Sequence, residues 1–363
     1  MATKAIAHTD PIFAASFSEL IKNLRTVFGT KDGQPFVIAG SGTLCWDQVS
    51  ANLVEAGEKV LLLSCGYFGD RFMDCLETYG AKVDCLRSEI GYSCDFDQVA
   101  KQLESQAASG SPYKLVAASH VDTSSGVVLD VERLCKLVKE KSPSTLVVVG
   151  SVCAAACEDL QFDNWGVDVV FTASQKALGC PPGVAVTVAS QRALQVVNNR
   201  STPIPAYYVN WQRWLPIMEA YENKAPKYFA TPCVQTIMAL NVSVRNIVSY
   251  GVEDYLKLHR ESSAKFTDGL KKLGLKIIPQ SEDVRSHAMS AVWLPEGVKL
   301  TDLVPRMAAR GVTISGGIFT GHATEYFRIG HMGLVSNDPS LGFLEKTLTA
   351  LKDSLVDAGY NCA

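Results

Sequence analysis

The chain has 363 residues, of which 47% are hydrophobic and 20% charged, and its formal net charge is −3. This length is sufficient for a large hydrophobic core and is typical of two domains. A charge so close to neutral does not favour a nucleic acid or an acidic membrane surface as partner. No apolar run reaches the roughly 18 residues that a membrane-spanning helix needs.

The eleven cysteines and six histidines lack the spacing of a metal site or a disulfide framework. They form no C-x-x-C or H-x-x-x-H pair, so we predict no bound metal. Several cysteines lie in apolar segments, which is typical of reduced thiols that serve as small hydrophobic residues. The first residues lack the apolar stretch of a signal peptide, and the last three are not a peroxisomal signal. We therefore expect a cytoplasmic protein.

Short β-rich runs alternate with helical patterns between residues 35 and 190. This alternation predicts an α/β fold with a mostly parallel, doubly wound sheet. The predicted strands are 35–39, 59–64, 82–86, 114–118, 145–149, 168–172 and 183–190. The predicted helices are 44–56, 70–79, 95–104 and 130–141. Because ligands gather beyond the carboxyl ends of such strands, polar or glycine-rich clusters that follow a strand are candidate sites.

The second half of the chain has a different pattern. Residues 206–233 combine aromatic residues and prolines without clear periodicity, which indicates a packed loop or an interface. Helices are predicted at 234–249 and 254–272. Beyond residue 275 strand-like and helix-like segments interleave, which suits a smaller α+β domain. We expect a large domain at residues 1–250 and a small C-terminal domain at residues 251–363.

Lys176 follows the apolar run 168–172 and precedes a turn that is rich in glycine and proline. The preceding run has the composition of a strand buried on both faces, so it places the lysine at the edge of a core. A lysine amine held near apolar surface can lose its proton and form an imine with a carbonyl. Most lysines beyond a strand are solvated charges, however, so local context alone does not establish a catalytic role.

A second candidate site follows the first predicted strand, where the sequence reads Gly40, Ser41, Gly42, Thr43. Converging backbone N–H groups, two hydroxyls and the start of a helix together form a cradle for an anion. Many α/β turns have such a sequence and bind nothing. A plain tight turn is the commoner explanation when the motif is taken alone.

The segment 174–183, SQKALGCPPG, resembles the lysine motif of the class V pyridoxal-phosphate (PLP) aminotransferases, in particular the alanine–glyoxylate and serine–pyruvate group. The resemblance extends over nearly the whole chain from His8. It implies fold-type-I architecture and transfer of an amino group from alanine or serine to glyoxylate or pyruvate. Lys176 would hold PLP and then move a proton as the catalytic base.

The same resemblance assigns the phosphate end of the cofactor. The residues expected to hold the phosphate are Ser41, Gly42, Thr43 and Gln175. Tyr228 and Thr231 match residues that reach the phosphate of the neighbouring subunit's cofactor. This match implies a homodimer with shared active sites.

The ring end of the cofactor is assigned in the same way. Phe68 would stack on the pyridine ring. Ser124, in the segment HVDTSSG, would contact the side that carries the 3-oxygen, and Val152 would also contact the cofactor. In the C-terminal part, Arg328 in the sequence RIG matches the arginine that binds the substrate carboxylate, a natural partner for a guanidinium. A surface salt bridge is the more usual fate of an arginine.

Gly150 is the main departure from the family, whose members carry an aspartate there. That carboxylate pairs with the pyridine nitrogen and keeps it protonated, so its loss should weaken the ring as an electron sink. A weakened transaminase and an enzyme of altered chemistry, such as a lyase or racemase, stay open as alternatives. Another group, either Asp122 or a water molecule, would be a substitute partner for the nitrogen. We expect Gly150→Asp alone to raise turnover by about tenfold or more.

The match to the family begins near His8, so we expect this chain to lack the P-G-P-containing segment that lines the family's substrate pocket. This expectation leaves a non-catalytic interaction protein on the same scaffold as a further alternative.

Overall fold

A computed structural model describes residues 4–362, and residue 337 without its side chain. The first elements are α1 (Pro11–Phe28), β1 (Gln34–Ala39), α2 (Leu44–Leu53), β2 (Lys59–Ser64), α3 (Tyr67–Thr78), β3 (Lys82–Arg87), α4 (Phe96–Ala108), β4 (Leu115–Ser119), β5 (Val121–Asp122), β6 (Val127–Val128), α5 (Val131–Lys141) and β7 (Leu146–Gly150). The next are α6 (Phe162–Trp165), β8 (Val169–Ala173), β9 (Val184–Ala189), α7 (Gln191–Asn198), α8 (Trp211–Glu222) and α9 (Val234–Tyr250). The last are α10 (Val252–Lys272), β10 (Met289–Trp293), α11 (Leu300–Ala309), β11 (Ser315–Gly316), β12 (Tyr326–Gly330), α12 (Leu334–Asn337), a 3₁₀ helix (Pro339–Leu341) and α13 (Phe343–Asp357).

The centre of the molecule is a seven-stranded sheet in the order β1-β9-β8-β7-β4-β2-β3. β9 runs antiparallel to both of its neighbours, and the other neighbouring pairs are parallel. Every strand of this sheet lies within one residue of its predicted bounds. Several strands are buried along their whole length, as expected when helices cover both faces of a parallel sheet. The predicted fold-type-I architecture is therefore confirmed.

A smaller antiparallel sheet in the order β10-β12-β11 forms in the C-terminal part. Side chains of this sheet and of α10, α11 and α13 form an apolar cluster separate from the main core. This arrangement is the predicted α+β unit. The division between residues 250 and 251 stays a prediction.

The prediction of a packed loop or interface at 206–233 is wrong for Trp211–Glu222, which is helical. Asn210 caps this helix, since its side chain accepts a hydrogen bond from the N–H of Gln212 at 2.9 Å. Trp211 is buried and stacks on Phe36 with ring centroids 5.0 Å apart. Pro216 lies inside the helix and obscured its pattern, because proline within a periodic segment usually marks a break.

Helix α1 was not predicted, and it anchors the start of the chain on α8 and α9. Asp10 caps it by accepting a hydrogen bond from the N–H of Ile12 at 2.8 Å. Arg25 donates two hydrogen bonds to the carboxylate of Glu222 at the end of α8. Its Nε donates a third to the carbonyl of Gly33, at 2.8 Å. One guanidinium therefore holds three segments together.

No helix within residues 4–362 has both the length and the apolar character needed to cross a membrane. Over the same range, no cluster of three or more His, Cys, Asp or Glu side chains is placed to hold a metal ion. All eleven cysteines are free thiols.

We expect Arg25→Ala to lower the free energy of unfolding by about 2 kcal/mol, because it leaves the partly buried Glu222 carboxylate unpaired. The matched control is Arg71→Ala, which removes an exposed pair with Asp74 and should cost less than about 0.5 kcal/mol. Urea unfolding followed by far-UV circular dichroism measures both. Equal losses in the two variants would contradict a special role for Arg25.

Candidate active site

The carboxyl ends of the parallel strands border a cavity of about 210 Å³. Eight of the residues predicted from the sequence line it: Ser41, Gly42, Thr43, Phe68, Gly150, Val152, Gln175 and Lys176. Six further residues complete the wall: Trp46, Ser119, Val121, Thr123, Cys153 and Phe171. The fold thus gathers most of the predicted residues at one edge of the sheet. Of the predicted set, Ser124, Tyr228, Thr231 and Arg328 do not line this cavity.

Lys176 lies in a connection between β8 and β9 that hydrogen bonds hold in place. The hydroxyl of Ser174 donates to the carbonyl of Pro181 at 2.7 Å, and the N–H of Gly179 donates to the carbonyl of Lys176 at 2.8 Å. The lysine itself is half-buried. Its Nζ has no hydrogen-bond or ion-pair partner among residues 4–362, so a nitrogen on a fixed backbone faces the cavity without a protein partner.

The turn between β1 and α2 presents unpaired donors to the same cavity. The backbone N–H groups of Ser41, Gly42 and Thr43 donate to no residue that the structure describes. The Thr43 hydroxyl does not cap α2. A Cβ added at Gly42 would lie 3.0 Å from the Cβ of Ala173, so the close packing of this turn on β8 favours glycine. Unpaired amides at the start of a helix are suited to an anion.

The aromatic wall is formed by Phe68 at the start of α3 and by Trp46 on α2. The indole of Trp46 stacks on Phe72, with ring centroids 5.7 Å apart. The N–H groups of Phe68 and Gly69 both donate to Oδ2 of Asp122 at 3.2 Å. The carboxylate of Asp122 therefore fixes the start of α3 and with it the place of the Phe68 ring.

Ser124 is buried behind the wall. Its hydroxyl donates to Oδ1 of Asp122 at 2.6 Å and accepts from the N–H of Tyr67 at 2.9 Å. The neighbouring Thr123 faces the cavity instead. Ser124 therefore helps to position α3, whereas Thr123 is the residue of this pair that would contact a ligand in the cavity.

The placement of Asp122 does not suit it as a substitute partner for a ring nitrogen. Its two carboxylate oxygens accept hydrogen bonds from Ser124, Phe68 and Gly69, and it does not line the cavity. Burial raises the pKa of this carboxyl, and the hydrogen bonds from Ser124, Gly69 and Phe68 oppose the effect only in part. Asp122 is therefore part of the scaffold under the cavity.

Gly150 ends β7 directly opposite Phe171 of β8. A Cβ built on Gly150 would lie 2.8 Å from Cζ and 3.1 Å from Cε2 of the Phe171 ring. An aspartate at residue 150 has no space while this ring stays in place. The expectation that Gly150→Asp alone raises turnover therefore needs correction, because the substitution collides with the opposite side chain.

Cys153 contributes a buried thiol to the cavity wall. Burial raises the pKa of this thiol to about 12, and the nearby charge of Lys176 offsets only part of the rise. The thiol is consequently neutral at physiological pH, where it acts as a small apolar group with a weak donor.

Arg328 lies on β12, beside the cavity rather than in its wall. Its Nε donates to the carbonyl of Gly316 at 2.8 Å, and its Nη1 donates to the carbonyl of Thr123 at 3.1 Å. Burial lowers the pKa of the guanidinium. Its Nη2 has no partner within the described part of the chain, so the group keeps free donors next to a residue that lines the cavity.

Tyr228 and Thr231 do not line the cavity. Tyr228 is 65% exposed, and its hydroxyl is 3.3 Å from Oγ1 of Thr231. These two side chains are thus available on the surface.

Sequence reasoning missed six residues of the wall, some of which it could have found. Ser119 and Val121 follow the correctly predicted strand 114–118. They could have been found, because ligands bind beyond the carboxyl ends of the strands in such a sheet. Phe171 lies within a strand, and no local signal distinguishes it from an ordinary core residue. Only its pairing with Gly150 brings it to the cavity.

The family model of aminotransferase class-V matches residues 5–334. Alanine–glyoxylate aminotransferase 1 of Saccharomyces cerevisiae is 37% identical, over 97% of this chain and 92% of its own length. Serine–glyoxylate aminotransferase of Arabidopsis thaliana is 27% identical, over 95% of this chain and 84% of its own. The crystal structure of an alanine–glyoxylate aminotransferase from Nostoc sp. is similar with a TM-score of 0.88 and 26% identity, covering 97% of this chain and 90% of that one. The chain therefore belongs to the class-V aminotransferase family.

Proposed function

We propose that the protein is a PLP-dependent aminotransferase that moves an amino group from alanine or serine to glyoxylate or pyruvate. The observation that carries this proposal is the pairing, in one cavity, of an unpartnered lysine amine with a cradle of unpartnered backbone N–H groups. The names of the similar proteins from yeast, Arabidopsis and Nostoc support these substrates.

The residues present suit a phosphorylated aromatic aldehyde such as PLP. The N–H groups and hydroxyls of the turn at residues 41–43 would hold the phosphate, with Gln175 beside them. Phe68 would lie against the ring, and Lys176 would bond to the aldehyde carbon. The wall offers one amine and one anion cradle, which are the two groups that such a ligand requires.

The cofactor, when bound, supplies an electron sink that stabilises negative charge at the substrate's Cα. Released from the aldehyde carbon by the substrate's amine, Lys176 would take the proton from Cα and deliver it to the former aldehyde carbon, as a base on a fixed backbone. Arg328 holds the substrate carboxylate with its free Nη donors. Trp46, Phe68 and Phe171 keep water from the reacting atoms.

We further propose that the active unit is a homodimer in the cytoplasm, in which Tyr228 and Thr231 of one copy complete the site of the other. The exposure of the Tyr228 ring, together with its hydrogen bond to Thr231, supports this assignment. A closed two-fold assembly would form two equivalent sites.

We expect borohydride reduction of the PLP-loaded protein to place the label on the peptide that contains Lys176. Lys176→Ala should remove the label and lower turnover about 10²–10⁴-fold, since the catalytic base is lost. Lys136→Ala, on the exposed face of α5, is the control and should change neither. A label on any other lysine would contradict the assignment.

Arg328→Gln should lower kcat/KM for L-alanine by about 10–100-fold, because a charged hydrogen-bond donor to the carboxylate is lost. We expect most of the effect in KM and little change in the dissociation constant of PLP. Arg306→Gln, on the outer part of α11, is the matched control. Unchanged kinetics in Arg328→Gln would show that the carboxylate binds elsewhere.

Mixed dimers test whether the sites are shared. If Thr231 serves the partner's site, a heterodimer of Lys176→Ala and Thr231→Ala chains contains one intact site and one site with both defects. Refolding an equimolar mixture should therefore yield more activity than either variant alone. The control mixture of Lys176→Ala and Arg328→Gln chains should show no gain, because both residues flank the same cavity. Equal behaviour of the two mixtures would contradict shared sites.

A further inference from the structure

None of the described residues that line the cavity carries a negative charge. Among the residues that line it, Lys176 alone carries a charge, and its hydrogen-bonding groups are otherwise neutral. The carboxylate of Asp122 does not line the cavity and accepts hydrogen bonds from Ser124, Phe68 and Gly69. A cationic ring bound here would have no anionic partner, and it would share the cavity with the lysine.

The missing negative charge results from the packing of Gly150 against Phe171. The backbone of Gly150 is not in the left-handed region, so its conformation does not require glycine. Neighbouring backbone groups are fixed, since the carbonyl of Gly150 accepts from the N–H of His120 at 2.9 Å and that of Phe171 accepts from the N–H of Ser151 at 2.7 Å. Of the three heavy atoms nearest to a Cβ built at residue 150, only the two atoms of the Phe171 ring are closer than ordinary van der Waals contact.

The Phe171 ring cannot easily move aside. It is 2% exposed, and it meets the edge of Phe72 at 90° with centroids 5.7 Å apart. Phe72 in turn stacks on Trp46, which lines the cavity. Three aromatic rings thus support one another from the cavity wall to β8, and a shift of Phe171 would disturb all three.

We propose that Gly150 and Phe171 act as one unit, which replaces an acidic partner by an apolar wall and so keeps the pyridine nitrogen of bound PLP unprotonated. This inference rests on the proposed function, because it concerns the cofactor of that site. Burial without a counter-ion disfavours the cationic form of a nitrogen base.

The neutral donors of the wall are consistent with this assignment. Ser119 and Thr123 bring hydroxyls to the cavity and Cys153 brings a neutral thiol. Each can donate a hydrogen bond to the lone pair of an unprotonated nitrogen, and none can neutralise a pyridinium. Gly150 and Phe171 are positioning residues in this scheme, since they act through the environment that they create.

The test is the ¹⁵N chemical shift of PLP labelled at the ring nitrogen and bound to the full-length protein. At pH 7 the native protein should give the shift of unprotonated pyridine. The double variant Gly150→Asp/Phe171→Leu supplies both the acid and the space for it, and should move the resonance to the pyridinium position. A pyridinium shift in the native protein, or no movement in the folded double variant, would overturn the proposal.

Two control variants separate charge from shape. Gly150→Asn/Phe171→Leu has nearly the same side-chain volume without the acid, so its nitrogen should stay unprotonated. Gly150→Asp alone should weaken PLP binding at least tenfold relative to the double variant, because the carboxylate and the phenyl ring compete for one volume. Equal PLP affinity in these two aspartate variants would show that Phe171 imposes no steric limit.

Failure of this inference is distinguishable from failure of the proposed function. If borohydride places no label on Lys176, the proposed function fails. If the label is there but the native nitrogen is protonated, the proposed function stands and only the role of Gly150 and Phe171 is wrong.

Discussion

The site depends above all on the parallel alignment of β4, β7 and β8. Their register places Ser119 opposite Gly150 and Gly150 opposite Phe171, so three neighbouring strands contribute one row of residues to the cavity. The strands are buried and cannot slip, because a shift by one residue would turn apolar side chains to the opposite face. This row determines which side chains form the cavity floor. The turn before α2 and the start of α3 then add the unpaired N–H groups and the aromatic wall at the same edge.

The sequence was sufficient for the strands of the large sheet and insufficient for several helices, among them α1, α7 and α8. Continuous apolar runs that end in glycine or polar residues mark buried strands clearly, so the predicted bounds agree with the structure to one residue. Helix α8 was missed because Pro216 interrupts it. Pro216 removes one backbone hydrogen bond from this helix, and the burial of Trp211 and Trp214 compensates for it. Such burial depends on the tertiary structure and cannot be inferred from the local sequence pattern.

Site residues that directly follow a strand were predictable. Residues were harder to predict where the direction of the side chain determines whether it faces the cavity. Around β5 the chain alternates: Val121 and Thr123 line the cavity, whereas Asp122 and Ser124 bind one another behind it. A motif match names all four without saying which pair faces the ligand, since successive residues of an extended chain point to opposite sides. Phe171 could not be predicted as a site residue either, because its role depends on Gly150, which lies opposite it on a neighbouring strand.

The wall of Gly150 and Phe171 also affects the protein without its cofactor. An aspartate at residue 150 would be a buried carboxylate with no partner until PLP arrives, and such a charge costs several kcal/mol. A buried phenyl ring instead contributes about 1.5–3 kcal/mol of favourable burial. The chain thus gains stability in the cofactor-free state and gives up electron withdrawal by the bound ring. Such an exchange of catalytic power for stability is the usual consequence of removing strain or charge from an active site. Because the Phe171 ring is packed on Phe72 whether or not a cofactor is present, the apolar floor of this cavity stabilises the chain itself.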